Sequence, residues 1–230
     1  MNTDTRQAFR RLHDAGCFVM PNPWDVGSAR YLQHFASGYG ATPEAVADSV
    51  ARCVACGVAG LSIEDATGDP GSPLYDLPRA VDRVRAARRA IDQTGADVLL
   101  TARAECYLTG HPDALRESVR RLRAYAEAGA DVLCAPGVHE PAAIAALVEA
   151  VRPKPINLLV ARNIGLGVAD IAALGVRRIS VGPALALAAW TGFTRAARTL
   201  RADGGFAGFE DLTPYGEING FFAADHAPVT

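Results

Sequence analysis

Short apolar runs alternate along the chain with longer stretches in which apolar residues recur every three or four positions. The short runs are rich in β-branched residues, which is typical of buried strands, and the longer stretches are typical of amphipathic helices. In the helix predicted over residues 77–91, for example, Leu77, Val81, Val84 and Ile91 share one face. The predicted strands are residues 17–21, 58–63, 97–101, 131–135, 155–160 and 176–181.

Four of the predicted helices reach the next strand through a similar joint. Each joint contains one glycine, namely Gly57, Gly95, Gly129 or Gly175. Glycine readily adopts the left-handed backbone conformation that ends a helix, and a buried strand can then follow directly. Repeated strand and helix units of this kind predict an α/β fold with a parallel sheet, either open or closed into a barrel.

The alternation is interrupted once, after the first predicted strand. A helix predicted over about residues 25–35 is followed by the sequence ASGYG at 36–40 and then by another helix over residues 43–56, with no apolar run between them. The six predicted strands are too few for an ordinary (β/α)8 barrel of ~250 residues. Either one strand escapes the pattern, or the chain lacks a segment that comparable barrels have.

Polar residues cluster where the predicted strands end. The sequence NPWD at 22–25 follows the first strand, Glu64 and Asp65 follow the second, Arg103 and Glu105 follow the third, and Asn157 lies within the fifth. Because Mg²⁺ prefers carboxylate oxygens and a guanidinium binds carboxylates or phosphonates through two parallel hydrogen bonds, this set suits a metal-assisted site for a small acid. The alternative interpretation is that Glu64 caps the next loop and forms a structural ion pair with Arg103.

The composition describes one globular domain, because 50% of the 230 residues are hydrophobic and the formal net charge is −2. The charges are scattered, and no uncharged stretch reaches the ~20 apolar residues that span a bilayer, so we expect neither a nucleic-acid nor a membrane partner. The N-terminal sequence lacks the apolar core of a secretory signal, and the five cysteines have no framework spacing. These features favour a cytoplasmic location.

Lys154 is the only lysine, and it precedes an apolar run, so we predict it at the start of a strand. Chemistry in α/β folds gathers at the other ends of the strands, which disfavours a Schiff-base aldolase or a pyridoxal enzyme. Cys53 and Cys56 form a Cys-x-x-Cys pair without a second cysteine or histidine pair at ligand spacing. We interpret them as packing residues.

Several blocks of the sequence resemble the isocitrate lyase/phosphoenolpyruvate mutase superfamily. They are FVMPNPWDVGSARYL from Phe18, GVAGLSIED from Gly57, LTAR from Leu100, AEAGADV from Ala126 and RISVG from Arg178. The resemblance implies a (β/α)8 TIM barrel, often a homo-oligomer that exchanges its last helix, with a Mg²⁺-dependent site at the carboxyl ends of the strands. It further implies that a C–C or P–C bond next to a carboxylate or 2-oxo group is cleaved or formed through an enolate-like intermediate.

Single residues can be carried over from the family's motifs. Glu64 in the block GLSIED matches a glutamate of the outer metal shell, and Arg103 in LTAR matches the arginine that binds the substrate carboxylate. The resemblance therefore implies that Arg103 and Glu64 are catalytic and that Glu64 serves the metal. The residues implied to bind a small carboxylate or phosphonate substrate are Ser62, Asp65, Asn157 and Gly182.

The chain departs from the family's pattern near residue 36. The sequence HFA at 34–36 stands where relatives have an acidic metal-binding motif, and the strand whose small-residue loop cradles the substrate has no counterpart. Together the missing portions amount to on the order of fifty residues. We therefore predict a single domain over residues 1–230 with a barrel-derived fold that lacks the second and third strands, and a C-terminal extension over residues 203–230.

Three functions remain open at this point. The first is a Mg²⁺-dependent lyase or mutase that acts on a small 2-oxo or phosphono acid. The second is a catalytically inactive, truncated paralogue that is stable only as an oligomer. The third is a ligand-binding domain that keeps Arg103 and dispenses with metal. Metal-dependent turnover separates the first from the others, and metal-free ligand binding separates the third from the second.

Overall fold

The computed structural model describes residues 3–20, 36–37 and 40–224. The chain has two compact units, Met1–Leu185 and Ala186–Thr230. The elements of the first unit, in chain order, are α1 (Thr3–Arg11), β1 (Phe18–Met20), β2 (Ala36–Ser37), α2 (Pro43–Ala55), β3 (Gly60–Glu64), α3 (Leu77–Gln93), β4 (Leu99–Arg103), α4 (Ala114–Glu127), β5 (Val132–Cys134), α5 (Pro141–Val151), β6 (Ile156–Leu159), α6 (Val168–Ala173) and β7 (Arg178–Ser180).

The strands form one parallel sheet in the order β1-β7-β6-β5-β4-β3-β2. Apart from β1, which pairs with β7, neighbours in the sheet are neighbours in sequence, which is the strand order of a barrel. Within the described residues β1 and β2 do not pair with each other, so the sheet stays open there. This arrangement confirms the prediction of an α/β fold derived from a TIM barrel.

All six predicted strands are present, with small shifts at their ends, and one further strand was missed. That strand, β2, has only two residues and pairs with Leu61 and Ser62 of β3. An apolar run is the signal by which a strand is recognised in a sequence, and two residues cannot provide one. The predicted helix over residues 25–35 and the polar NPWD block at 22–25 lie outside the described residues.

The helices cover the sheet through the apolar stripes that their sequences predict. In α2 the buried residues Val46, Val50 and Val54 recur every four positions, which places them on one face. The hydroxyl of Thr42 accepts a hydrogen bond from the Ala45 N–H at 3.2 Å, and Pro43 follows directly, so the start of α2 is a capped helix N-terminus. Valine and leucine side chains from helices and strands thus build one continuous core.

The glycine joints have the predicted backbone conformation. Gly57, Gly95, Gly129 and Gly175 all have positive φ, between 66° and 101°. At Gly175 the requirement is also steric, because an added Cβ would lie 2.9 Å from Cγ1 of Val148. Lys154 lies two residues before Ile156, the first residue of β6, so its predicted place at the start of a strand is confirmed.

The second unit consists of most of α7 (Ala184–Asp203), a short 3₁₀ helix (Ala207–Phe209) and α8 (Tyr215–Ala224). Large apolar side chains are exposed along it, including Trp190, Phe193 and Phe206. Among the described residues, none of the helices combines the length and the apolar content that a membrane crossing requires.

Candidate active site

The two predicted catalytic side chains lie next to each other at the carboxyl ends of β3 and β4. Glu64 is the last residue of β3, Arg103 is the last residue of β4, and the two are register partners in the sheet. Nη2 of Arg103 lies 3.3 Å from Oε2 of Glu64, while Nε of Arg103 donates to Oε1 of Glu105 at 2.7 Å. The Arg103 guanidinium is therefore held between two carboxylates. The ion pair between Glu64 and Arg103, which the alternative interpretation predicts, is thus present.

The two carboxylates differ in their exposure to solvent. The side chain of Glu64 is 50% exposed, whereas that of Glu105 is 5% exposed. Burial raises the pKa of Glu105, and the nearby Arg103 cation only partly offsets that rise. Burial is the largest single effect on Arg103 and would lower its pKa, but Glu105, Cys134 and Glu64 together outweigh burial and the pKa is raised, so Arg103 stays positively charged.

Glu105 belongs to the polar cluster predicted at the end of the third strand, but the sequence gives it no individual role. It follows Arg103 by two positions, immediately after the strand, and it is buried against that arginine. The spacing in Arg103-Ala104-Glu105 was visible in the sequence, but it did not show that the chain turns so that both side chains meet. Glu105 is the residue that fixes the direction of the guanidinium.

Asp65 has a different environment from its neighbour Glu64. Its carboxylate is buried and accepts hydrogen bonds from the Glu105 N–H at 2.8 Å, Nη1 of Arg121 at 2.9 Å and the Tyr125 hydroxyl at 2.5 Å. Burial raises the pKa of Tyr125, so this hydroxyl stays protonated and donates to the carboxylate. Because these bonds occupy both oxygens, we assign Asp65 to the scaffold instead of to substrate binding.

Asn157 lies in the same row of the sheet as Glu64 and Arg103. Arg103 is in register with Cys134, and Cys134 is in register with Asn157. The buried Asn157 amide donates to Oγ of Ser180 at 2.9 Å and to Sγ of Cys134 at 3.3 Å, and it accepts from Nε of Arg178 at 2.8 Å. Asn157 is thus tied into a polar network inside the sheet, beside the position where a ligand of Arg103 would lie.

The two remaining predicted residues occupy the flanks of this row. Ser62 is half-buried in β3, where it is in register with Thr101. Gly182 follows β7 with a φ of 50°, and an added Cβ would lie 2.9 Å from Cδ1 of Leu159. Gly182 therefore allows the end of β7 to approach the end of β6 closely.

A direct metal site is not formed by the side chains that the structure describes. Over residues 3–20, 36–37 and 40–224, no three His, Cys, Asp or Glu side chains come together as a metal ion requires. Both carboxylates that face the site, Glu64 and Glu105, already contact the Arg103 cation. A guanidinium between two carboxylates opposes binding of Mg²⁺ at the same oxygens, so this donor set does not fit direct coordination.

Comparison with known proteins agrees with the fold. A family model described as phosphoenolpyruvate phosphomutase matches residues 34–201. The uncharacterized protein Rv1998c of Mycobacterium tuberculosis (strain H37Rv) is 33% identical over 226 aligned positions, which take in 76% of this chain and 81% of that protein. The 2-methylisocitrate lyase of Escherichia coli K12 is 32% identical over 134 positions, covering 56% of this chain and 44% of that enzyme.

A solved structure is similar over nearly the whole chain. A provisionally assigned lyase/mutase from Burkholderia cenocepacia J2315 superposes with a TM-score of 0.89 at 36% sequence identity, covering 96% of this chain and 97% of that one. The matched region of the family model contains Glu64, Arg103 and Asn157. The chain therefore belongs to the phosphoenolpyruvate mutase family, within the isocitrate lyase/phosphoenolpyruvate mutase superfamily.

Proposed function

We propose that this protein is a lyase or mutase that binds a small 2-oxo or phosphono carboxylic acid at the carboxyl ends of β3, β4 and β6. The observation that carries the proposal is the geometry of Arg103. Its guanidinium lies at the rim of the sheet, 28% exposed, and one buried carboxylate, Glu105, fixes its orientation from one side. A guanidinium held in this way presents its remaining N–H groups to a ligand carboxylate or phosphonate.

Binding of an anion would change the contacts of Arg103 unequally. The Glu105 contact is short and buried, whereas the Glu64 contact is longer, at 3.3 Å, and lies beside solvent. A substrate carboxylate would therefore displace Glu64 from Arg103 and leave Glu105 in place. The freed Glu64 carboxylate could then accept a proton or hold a water molecule beside the substrate, and the Arg103 cation would stabilise the charge of an enolate-like intermediate.

The resemblance implies that activity depends on Mg²⁺, but the described side chains form no site that coordinates the metal directly. In this proposal Glu64 would contact the metal only through a water molecule, as the resemblance implies, and Arg103 alone anchors the substrate. The functional test is therefore run with and without Mg²⁺.

The test uses oxalate, a mimic of the enolate, and calorimetry on the purified protein. We expect saturable oxalate binding that Arg103→Ala weakens by about tenfold or more, the loss expected for a hydrogen bond to a charged group. Arg103→Lys keeps the positive charge but loses the planar guanidinium that can donate two parallel hydrogen bonds. It should therefore also weaken oxalate binding, while Glu105 keeps a cationic partner. Arg89→Ala, at an exposed arginine of α3, is the matched control and should bind as the wild type does.

Turnover is then tested on 2-methylisocitrate and phosphoenolpyruvate, the compounds named by the relative and by the family model. Proton and phosphorus NMR would detect cleavage of a C–C bond or transfer of a phosphoryl group. Arg103-dependent turnover supports the proposal. Failure to bind oxalate in a folded sample, with or without Mg²⁺, contradicts it.

A second candidate function is a non-catalytic paralogue that retains only ligand binding. Two observations favour this function. The described side chains form no direct metal site. In addition, the 226-position alignment with Rv1998c takes in only 76% of this chain, so some aligned positions of that protein have no counterpart here. The total size of these gaps agrees with the size predicted for the missing segment. Oxalate binding that depends on Arg103, with no turnover of any 2-oxo or phosphono acid, would support this second function.

We also propose that the protein is a homo-oligomer. Helix α7 exposes Leu187, Trp190 and Phe193, and the rings of Trp190 and Phe193 pack edge to face with centroids 5.4 Å apart. Exposed apolar patches of this kind are normally covered by a partner. A second copy of the chain is the occupant that the resemblance implies.

The five free cysteines agree with the expected cytoplasmic location.

A further inference from the structure

A cavity lies at the end of the sheet opposite to the candidate active site. It has a volume of about 620 Å³ and opens where four neighbouring strands begin. Leu99 is the first residue of β4, and Asp131, Pro155 and Arg177 directly precede β5, β6 and β7. The end of α1 and the segment that follows it complete the wall. Arg103 and Asn157 are absent from this wall, so the cavity is separate from the site described above.

The charged residues of this wall are mainly cationic. Arg10, Arg152, Lys154 and Arg177 line the cavity, against two carboxylates, Asp14 and Asp131. His13 also lines it, and burial lowers the pKa of His13 to about 4, so the ring is neutral at pH 7. The wall therefore carries an excess of positive charge.

One of the two carboxylates is already fully engaged within the protein. Oδ1 of Asp131 accepts from Nη1 of Arg10 at 3.1 Å, and Oδ2 accepts from Nη1 of Arg88 at 3.0 Å and from the Leu100 N–H at 2.8 Å. Asp131 is thus paired with Arg10 and Arg88, and Arg10 also donates to Oδ1 of Asp97 at 2.7 Å. The cations of the wall that lie outside this cluster are Arg152, Lys154 and Arg177. Arg152 contacts Glu149, but both side chains are largely exposed, so this pair holds the guanidinium only weakly.

Lys154 is the cation of this wall that is best placed to bind a ligand. Its backbone N–H donates to the Val151 carbonyl at 2.9 Å, and Pro153 and Pro155 flank it, so its place at the start of β6 is well defined. The residue is only partly exposed, and its ammonium group makes no hydrogen bond or ion pair with the side chains and backbone that the structure describes. A cation with no protein partner and with part of its side chain removed from solvent is stabilised by an anion that enters the cavity.

We propose that this cavity is a binding site for a phosphate-class anion with two or more negative charges, such as phosphate, pyrophosphate or a phosphate monoester. Lys154 supplies a mobile point charge, and Arg177, whose Nη1 donates to the Gly16 carbonyl at 3.2 Å, supplies a guanidinium fixed beside it. Both groups are strong donors to phosphate oxygens. The volume exceeds that of one phosphate and falls within the range of small-molecule pockets.

The single lysine makes a direct test possible. Reductive methylation with ¹³C-formaldehyde leaves the charge of Lys154 in place and labels only this side chain and the N-terminal amine. Titration with pyrophosphate should shift the Lys154 resonance saturably, while sodium chloride at matched ionic strength should not. A linear shift, or the same shift in chloride, would overturn the proposal.

Calorimetry on the unmodified protein gives an independent measurement with pyrophosphate and inorganic phosphate. Lys154→Met and Arg177→Met should each weaken pyrophosphate binding by about tenfold, and Arg89→Met on the outer face of α3 should not. Lys154→Met removes an ammonium group that has no partner among the described residues, so it tests the cavity even if Arg177→Met does not fold.

A further variant distinguishes the cavity from the candidate active site, which could also bind a phosphonate. Arg103→Lys should weaken oxalate binding and leave pyrophosphate binding unchanged. Pyrophosphate binding that is lost with Arg103 and kept in Lys154→Met would place the anion at the carboxyl ends of the strands and overturn the proposal. Oxalate binding can fail without affecting this result, so the two proposals stand or fall separately.

Discussion

At the scale of single residues, the adjacent acids Glu64 and Asp65 have opposite roles. Glu64 is half-exposed and contacts Arg103 at the rim of the sheet. Asp65 is buried and joins the end of β3 to α4 through Arg121 and Tyr125. Consecutive residues at the end of a strand point to opposite faces, so one acid faces the ligand side and the other faces the helices.

The first prediction concerns the buried carboxylate. Asp65→Asn would remove the more deeply buried of the two carboxylates that pair with Arg121 and leave Glu117 as its counter-charge, so we expect the free energy of unfolding to fall by about 3 kcal/mol. Urea unfolding measures it. Asp82→Asn is the matched control, since Asp82 forms an exposed pair with Arg85 and should change the stability by no more than about 0.5 kcal/mol. Equal effects of the two substitutions would contradict the buried role of Asp65.

The second prediction concerns His13 and pH. Burial, followed in importance by the nearby Arg178 cation, lowers the pKa of His13 from 6.5 to about 4. Its Nδ1 lies 3.1 Å from the Phe9 carbonyl and its Nε2 lies 3.5 Å from Nη1 of Arg178, as suits a neutral ring. Because the unfolded chain takes up a proton near pH 6.5 and the folded chain does not, stability is lost as the pH falls from about 6.5 towards 4.

The measurement compares wild type with His13→Gln by urea unfolding at pH 7 and pH 5. Wild type should lose about 2 kcal/mol more than the variant between these values. Glu117, whose pKa is lowered to about 2 by Arg120 and Arg121, loses its stabilising effect mainly below this range. The same pH dependence in both proteins would show that His13 titrates normally in the folded state.

At the scale of elements, the positions of the site residues follow from how helices end and strands begin. The glycine at each joint ends the helix in the left-handed conformation and lets the next strand start beside its neighbour. This places the ends of β3 to β6 at one edge, with Glu64, Arg103, Cys134 and Asn157 in one register row. The side chains of a register row point to the same face, which is why residues far apart in sequence share one site.

The third prediction compares two glycines. Gly175→Ala should lower the free energy of unfolding by about 1–2 kcal/mol, because its φ of 90° disfavours an L side chain and the new Cβ would crowd Val148. Gly192→Ala, within α7, meets no atom within 4 Å and has no positive φ, so it should raise the stability by up to about 1 kcal/mol. Thermal or urea unfolding measures both changes in the free energy of unfolding, which should have opposite signs. A Gly175→Ala variant that is as stable as the wild type, or more stable, would contradict the described joint.

At the scale of the whole molecule, the sheet is a barrel-type sheet that stays open between β1 and β2 within the described residues. The two ends of this sheet differ in chemistry. The carboxyl ends carry Arg103 between two glutamates, and the amino ends surround a cavity that contains Lys154 and three arginines. We infer that the molecule can bind anions at both ends, with the reacting acid at the first and a phosphate-class anion at the second.

The fourth prediction concerns assembly. Trp190→Ser should shift the protein towards the 24.2-kDa monomer, because it removes a large exposed apolar side chain from the proposed contact between copies. Light scattering coupled to gel filtration gives the mass. Leu12→Ser, at a comparably exposed apolar residue near α1, should leave the mass unchanged. A wild-type protein that is monomeric at every concentration would contradict the oligomer.

Local patterns were sufficient to predict six strands, the glycine joints and the meeting of Glu64 with Arg103, because each depends on short-range periodicity or on the rule that parallel strands end together. The place of Lys154 at the start of β6 followed in the same way. The two-residue strand Ala36–Ser37 could not be predicted, because its identity depends on pairing with β3 and not on its own sequence.

Only the tertiary structure decided which neighbours each polar side chain has. It placed the Asp65 carboxylate against Arg121 and Tyr125, and it brought Glu105 against Arg103. It also gathered Arg10, Lys154 and Arg177 around one cavity, although they are far apart in the chain. A sequence specifies which groups can form hydrogen bonds and carry charge, but their pairing and burial depend on contacts between distant segments, and these contacts exist only once the chain is folded.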